Sequence, residues 1–464
     1  MCGVFRIRLR RCSPSPRAQT FLRKIWIRLV LSLLFDFLYL LPALVYAPVF
    51  FLKSRRVGEN PATLFSERWG IYASEKLAKI SGKKILWIHA VSVGETMVAR
   101  RWIESLREIK APFHFVLTTV TPTGQKLARQ AEAEDLTAFY VPFDFSWCVN
   151  AFLQAVKPAA LALVETEIWP NLILQSAAKN IPVCLINARL SEKSLRGYSR
   201  IRVLFQNVFS KIQLVLAQEE SDARRFCDLG IAENRVLVMG NIKFDTAAPS
   251  VVPEAFHRNR VGIAENDSVL VAGSTHPGEE ESLLRVFLRL RRNHSKLRMI
   301  LAPRHVERTE EVAMICAKAQ FKTVLFTDVQ IKASEAWDVM VIDQIGVLKN
   351  VYALANFVFM GGSWIKHGGQ NPIEPAVFDL PVLHGPHVFN FKQIYAIFGE
   401  AGGAYCVADE ESCFQRVEAF LNQPELAFKT GQRAGETVKK YRGAGLKQAQ
   451  RIMELIQDQK GSAQ

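Results

Sequence analysis

The sequence has no Cys-x-x-Cys pair and no cysteine or histidine grouping with the spacing of a zinc site. Its eight cysteines (Cys2, Cys12, Cys148, Cys184, Cys227, Cys316, Cys406, Cys413) are scattered, which argues for structural thiols in a reducing compartment. No Asp-x-Asp motif stands near a nucleotide loop, so no catalytic metal is called for, and no cofactor is implied. Acids are scarce at the start. Residues 1–56 carry eleven lysines and arginines against the single acid Asp36, a local balance of +10 out of the chain's +15. A basic collar of this kind suits an anionic membrane surface, at about 1 kcal/mol per basic group, and leaves little excess charge elsewhere to bind nucleic acid.

What is present is a long chain with an ordinary globular composition. At 464 residues, 49% hydrophobic and 22% charged, it is too long for one core and too apolar to be disordered, so two or three domains are expected. Between Leu29 and Leu52 only Ser32, Asp36, Pro42 and Pro48 are not hydrophobic, long enough to cross a hydrocarbon core of about 30 Å. We expect a membrane anchor here. Asp36 and the two prolines count against a straight spanning helix, so a hairpin or interfacial anchor stays open beside a buried core helix. The run is too long for a signal peptide, and no A-x-A-like site follows.

From residue 84 onward, short apolar runs rich in β-branched residues alternate with stretches of helical period, the βα rhythm of a parallel sheet. Seven such runs precede a pause at Pro249, Ser250 and Pro253, and seven follow it. The boundaries expected are a basic N-terminus and anchor over 1–56, a first Rossmann-like domain over 57–245 and a linker over 246–253. A second Rossmann-like domain over 254–430 and a C-terminal helical segment over 431–464 complete the chain. Two doubly wound sheets create a cleft, and ligands bind outside the carboxyl ends of the strands.

The unusual patches fall in those loops. In Trp87-Ile-His-Ala-Val-Ser-Val-Gly-Glu-Thr96 a strand runs into a helix and places Glu95 near its start. Ser92 and Glu95 have capping-box spacing, a structural use that competes with Glu95 as a base; the helix terminus would favour its ionised form. Glu165 and Glu167 follow an apolar strand, with Glu165 nearer the strand. The cationic loop 187–198 suits an anionic lipid phosphate or sugar carboxylate, or is simply a surface loop. Lys243, in Gly240-Asn-Ile-Lys-Phe-Asp245, stands at the expected mouth of the cleft, where it can offset charge on a leaving phosphate or serve as an ordinary linker lysine.

In the second half, Gly273, Ser274 and Thr275 form a small loop between strand and helix, a possible phosphate site that has neither Walker spacing nor GxGxxG. Arg304 follows the next strand and can contact a phosphate in bidentate fashion. The segment 361–375 is the most informative: four glycines allow close backbone approach to a ligand, Asn371 can cap a helix with Pro372 at its first position, and Glu374 can accept from ribose hydroxyls.

Taken in order, these patches resemble the transferases that attach 3-deoxy-D-manno-octulosonic acid (Kdo) to the lipid A precursor in lipopolysaccharide assembly. The resemblance covers the anchor and essentially all of both domains. It implies an α/β fold of the GT-B type, two Rossmann-like domains facing a cleft, with an N-terminal membrane anchor. It implies CMP-Kdo as donor, lipid IVA as acceptor, and a place at the cytoplasmic face of the bacterial inner membrane. By the same resemblance Glu95 is the proton acceptor, and Glu165 and Lys243 act in the transition state. CMP contacts fall to Pro303 and Arg304, to the turn Ile345-Gly346-Val347, and to Asn371, Pro372, Ile373 and Glu374. Ile345 and Val347 depart from a more polar family pattern, which backbone contacts would tolerate. The reaction implied is a single inverting displacement. A UDP-sugar lipid transferase, a nucleotide-sugar epimerase and an inert membrane-docking scaffold are the alternatives.

Overall fold

A computed structural model describes residues 30–40, 61–246, 252–331 and 336–461. These form two compact units, one comprising the chain up to Ile242 together with the segment from Gly443 onward, the other Lys243–Arg442.

The first unit is built on seven parallel strands: β1 (Ile85–His89), β2 (His114–Thr119), β3 (Leu136–Tyr140), β4 (Pro158–Val164), β5 (Val183–Ala188), β6 (Ile212–Ala217) and β7 (Val236–Val238). Their order is β3-β2-β1-β4-β5-β6-β7. The second unit repeats the plan with β8 (Ser268–Thr275), β9 (Leu297–Pro303), β10 (Thr323–Leu325), β11 (Val339–Val341), β12 (Phe357–Met360), β13 (Val382–His384) and β14 (Ala404–Cys406). Here the order is β10-β11-β9-β8-β12-β13-β14. Every strand pair is parallel, which is why the strands read as continuous apolar runs: both faces are covered. Phe139, Leu163 and Leu185 pack on one side of the first sheet, while Leu86, Ile88 and Leu117 pack on the other. The sheets reverse direction between β1 and β4 and between β8 and β12, the positions where such sheets take ligands.

All fourteen strands coincide with expected runs, and the differences lie at their ends. The run Lys322–Phe326 stops at Leu325, because Phe326 opens the helix Phe326–Ile331 and is buried against Phe256. The domain boundaries need a correction. The segment 431–464 is not one piece: the helix Pro424–Tyr441 belongs to the second unit, whereas Ala444–Gly461 returns to the first and packs on the helix Val93–Glu108. The first helix holds to its unit by close approach, Gly431 and Gly435 leaving room only for Asp379, so a Cβ at either would overlap it. The crossing from the first unit falls between Ile242 and Lys243, ahead of the expected linker, of which 247–251 lie outside the described residues.

The anchor also differs. Of the apolar run, Leu29 and 41–52 lie outside the described residues, and 30–40 form a short helix docked on the first unit. Among the described residues no helix is long and apolar enough to cross a membrane. Asp36 explains the docking. Its carboxylate accepts from Ser146 N–H (2.8 Å), Ser146 Oγ (2.7 Å) and Asn171 Nδ2 (2.9 Å), while Gln175 Nε2 donates to Ser32 Oγ (2.9 Å) and Phe35 joins the core. The opposite side of the helix exposes Leu33, Leu34, Phe37, Leu38 and Leu40. Close to Ser146, the rings of Trp69, Phe145 and Trp147 stack in series, the two tryptophans about half exposed.

Candidate active site

In the first unit the chemistry gathers at the switch point, after the adjacent strands β1 and β4, where His89 pairs in register with Leu163. The helix Val93–Glu108 begins there with Ser92 as its N-cap. The capping box is real: Glu95 N–H donates to Ser92 Oγ (3.3 Å), Ser92 Oγ donates to Glu95 Oε1 (2.8 Å), and Val91 N–H donates to Oε2 (2.8 Å). Burial nevertheless outweighs these donors, and the charge of Glu165 adds to it, so the carboxyl of Glu95 titrates above an ordinary glutamate. The helix-terminus expectation of an unusually acidic group is thus reversed in direction. A fixed, half-buried carboxylate with raised proton affinity is what a general base for a hydroxyl requires.

Glu165 adopts φ +59°, a left-handed backbone just past the end of β4, and its N–H donates to Ile186 O (2.9 Å). Glu167 then feels the charges of both Glu95 and Glu165, and burial with this repulsion pushes its carboxyl up to about 7. Its Oε2 accepts from Trp169 Nε1 (2.8 Å), and the Trp169 ring meets His89 edge-on at 5.3 Å. His89, fully buried at the end of β1, is pushed down to about 3 by burial and is neutral at physiological pH. The charges of Glu95, Glu165 and Glu167 therefore act on one another.

A ring of buried amides fixes the segment before Lys243. Ile242 N–H donates to Asn187 Oδ1 (2.9 Å), Asn241 Nδ2 to Gln218 Oε1 (2.9 Å), and Gln218 Nε2 to Asn187 O (2.9 Å). From the returning C-terminal helix, Gln448 Nε2 donates to Gly240 O (3.0 Å), and Asn187 N–H donates to Gln448 Oε1 (2.8 Å). Asn187, at φ +49°, is placed for this by the left-handed turn that asparagine tolerates. Lys243 follows directly, half-buried, between Ile242 in one core and Phe244 in the other. Nothing in the sequence motifs disclosed the amide ring. The neighbouring cationic segment is mostly a solvent-exposed helix, Glu192–Arg200, in which Arg196 pairs with Glu192 (3.6 Å).

In the second unit the two Gly-rich loops flank the other switch point and are joined by a residue the motifs did not single out. Glu279, almost wholly buried, accepts from the N–H groups of His276 (3.0 Å), Gly362 (2.7 Å), Ser363 (3.0 Å) and Trp364 (3.0 Å). Three of the backbone donors expected to approach a ligand are thus committed to Glu279. Around Gly273–Thr275, Gly273 closes on Tyr352 and its carbonyl accepts from Gly361 N–H (2.8 Å), Ser274 lies under Gly361, and Thr275 O accepts from Arg304 N–H (2.9 Å). Glu279, Glu280 and Glu281 open the following helix, a poor reception for a phosphate at that terminus.

Of the residues carried over for CMP, Arg304, Asn371 and Glu374 lie near one another. Pro303 ends β9 and turns Arg304 outward, exposed. Asn371 caps the short helix Ile373–Ala376 through Ile373 N–H (3.2 Å), with Pro372 just before it rather than within it. Burial raises the carboxyl of Glu374, while Asn371 and the nearby charges of Arg304 and Lys349 pull it back, which places the ends of β9, β11 and β12 together. Ile345-Gly346-Val347 forms the turn after β11, with Gly346 at φ +84° and Ile345 83% exposed. Lys349 was not foreseen. Beside Arg304, His276 is held down at about 4 by burial and by the charges of His367, His305, Arg304 and Arg308. The His276 and His367 rings lie 4.0 Å apart. The first switch point is therefore acidic and the second cationic. Among the described residues no three His, Cys, Asp or Glu side chains group as metal ligands.

Comparison with known proteins decides the family. A relative from Haemophilus influenzae named 3-deoxy-D-manno-octulosonic acid transferase is 32% identical over 392 residues, covering 84% of this chain and 90% of that one. The chain belongs to the 3-deoxy-D-manno-octulosonic acid transferase family. Residues 63–246 also match the family model described as 3-deoxy-D-manno-octulosonic-acid transferase (kdotransferase). It is a glycosyltransferase. A glycosyltransferase structure from Rickettsia africae superposes with a TM-score of 0.53 at 12% identity over 81% of this chain and 98% of its own. A UDP-GlcNAc 2-epimerase from Neisseria meningitidis bound to UDP-GlcNAc gives 0.52 at 14%, over 78% and 100%. Both likenesses show the fold alone, two parallel-sheet α/β units of the GT-B kind.

Proposed function

We propose that this transferase moves Kdo from CMP-Kdo to a hydroxyl of lipid IVA in a single inverting displacement, releasing CMP. The observation that carries the reading is the opposition in charge between the two switch points: carboxylates with raised proton affinity in the first unit, and Arg304, Lys349 and the His276 surroundings in the second. Glu95 removes the acceptor proton, the hydroxyl oxygen attacks the anomeric carbon, and the C–O bond to CMP breaks with its electron pair leaving on the phosphate. Lys243 and Arg304 offset that charge, so the step needs no metal from the protein. Ile345 packs the base, and Glu374 accepts from the ribose hydroxyls.

The acceptor is a lipid, and the surface suits one. The outward residues of helix 30–40 and the stacked Trp69, Phe145 and Trp147 offer an apolar and aromatic face. We place this face at the cytoplasmic leaflet of the bacterial inner membrane, the helix lying in the interface rather than crossing it, assisted by the basic collar of residues 1–56. The test is a radiolabel transfer assay in detergent with lipid IVA and either CMP-Kdo or UDP-GlcNAc. Transfer from CMP-Kdo alone is the expected result. Transfer from UDP-GlcNAc, or its turnover without acceptor, would replace the reading with one of the alternatives.

A further inference from the structure

No step of the proposed transfer falls to His276, and its setting is specific. It follows β8 directly, in the loop between that strand and the helix Glu279–Arg291, at the switch point of the second sheet. The residue is 5% exposed, and its Nε2 is buried without a hydrogen-bond partner. A buried nitrogen left unpaired costs free energy in the resting protein, so it calls for a reason.

Two other imidazoles surround it. The ring of His367 lies 4.0 Å from that of His276, and the ring of His305 meets it edge-on at 6.1 Å. The three come from the loops after the neighbouring strands β9, β8 and β12, at the carboxyl ends where such sheets take ligands. Backbone bonds hold these loops together: Arg304 N–H donates to Thr275 O (2.9 Å), Glu279 takes the N–H groups of His276 and Gly362, and Gly369 N–H donates to Gly362 O (2.8 Å). A Cβ at Gly362 would come within 3.4 Å of His276 Nε2 and of His367 Cδ2, so this glycine, at φ +66°, keeps the space beside both rings clear.

The surroundings favour an oxyanion. Burial, then the charges of His367, His305, Arg304 and Arg308, keep the His276 imidazole uncharged, and the same arginine charges attract an anion. Arg308 supplies field rather than a contact, because its guanidinium is bound to Glu280 (2.8 Å) and Glu311 (3.1 Å). The nearby acid Glu279 spends its oxygens on four backbone N–H groups.

We propose that His276, covered at rest by His367, is the subsite for the carboxylate of the donor sugar and so selects an acidic sugar over a neutral one. The inference rests on the functional reading above. In an octulosonic acid the carboxyl group is bonded to the anomeric carbon, which in the donor also carries the phosphate ester. With Arg304 on the phosphate, the carboxylate falls to the loop tied to Arg304 through Thr275 O. His276, with its proton on Nε2, donates to the carboxylate once the exposed ring of His367 turns aside, a motion that surface side chains make in picoseconds to nanoseconds. A site whose buried donor is paired only by the substrate rejects an analogue lacking the acceptor. The donor's phosphate offers the same oxyanion chemistry, and cytidine, CMP and CMP-Kdo separate the two sources.

The experiment uses the full chain in detergent and measures Kd for those three ligands, with KM and kcat for CMP-Kdo and lipid IVA, in wild type, His276→Phe and His276→Gln. His276→Phe should weaken CMP-Kdo about tenfold or more, in Kd and in KM, and leave cytidine and CMP unchanged. His276→Gln keeps a side-chain N–H and should recover part of the loss. The unfolding midpoint of His276→Phe should not fall, since the buried nitrogen removed has no partner. If that variant does not fold, carbethoxylation of wild type by diethyl pyrocarbonate, read by peptide mass spectrometry, decides: CMP-Kdo should protect His367 and CMP should not. Unchanged CMP-Kdo binding by folded His276→Phe overturns the proposal, as does protection of His367 by both ligands or by neither. An equal loss for CMP also overturns it and gives the site to the phosphate. Absence of transfer from CMP-Kdo by wild type would instead overturn the functional reading, and the binding constants would still judge the subsite.

Discussion

Glu279 binds Ser363: one oxygen of a buried carboxylate at the start of a helix accepts the serine N–H at 3.0 Å, across 84 residues of sequence. Together with Gly362, Trp364 and His276, this makes Glu279 the clasp between the two loops that flank the switch point of the second sheet. Its replacement leaves several buried N–H groups without acceptors, each costing about 1–3 kcal/mol. Glu279→Ala should therefore destabilise the second unit by about 3 kcal/mol or more, read as a fall in the denaturant midpoint, and CMP binding should weaken with it. A variant as stable as wild type would show that the loops hold without the clasp.

The pH dependence has a definite sign. Glu95 must be ionised to act as a base, and burial with the charge of Glu165 raises its pKa above the usual glutamate value. Fewer molecules carry the active form at any mildly acidic pH than an exposed glutamate would provide, so activity should rise with pH across an acid limb displaced upward. Glu165→Gln removes one repulsive charge and should shift that limb of kcat/KM to lower pH. A limb that stays in place would contradict the coupling.

Asp36 and Phe37 are adjacent in sequence and should behave oppositely. Asp36→Ala removes the acceptor of three hydrogen bonds and should cost about 2–3 kcal/mol of stability. Phe37→Asp touches an exposed side chain and should leave the unfolding transition in place, while reducing sedimentation with anionic phospholipid vesicles, since one buried phenylalanine is worth about 2–3 kcal/mol. Equal vesicle binding by Phe37→Asp and wild type would remove helix 30–40 from the interface.

Arg304→Ala should raise the KM for CMP-Kdo by about tenfold or more, and Arg304→Lys should recover only part of it, because a point charge does not replace a planar bidentate donor. In the proposed reaction Arg304 and Lys243 supply the positive charge, so transfer should also persist in a chelator. Loss of activity in chelator with rescue by one divalent ion would contradict this division of labour.

The fold was legible because strands buried on both faces leave unbroken apolar runs, and all fourteen stand where such runs occur. Glu95, Arg304 and Asn371 were legible because each follows a strand next to a helix start. What stayed hidden depends on contacts distant in sequence or on local backbone hand. No pattern announces that Glu279 will serve N–H groups more than eighty residues away, or that Gln448 will return to bind Asn187. Nor does any motif mark the left-handed backbone at Glu165. Asp36, which counted against a spanning helix, proved to be the cap that docks the helix on the first unit.

The most direct measurement is transfer from CMP-Kdo to lipid IVA by Glu95→Gln beside wild type, with CMP binding measured on both proteins. Loss of about a hundredfold or more in kcat, with CMP binding unchanged, is the result expected of a general base. Transfer by Glu95→Gln at the wild-type rate would contradict the assignment and leave Glu95 as the cap of its helix alone.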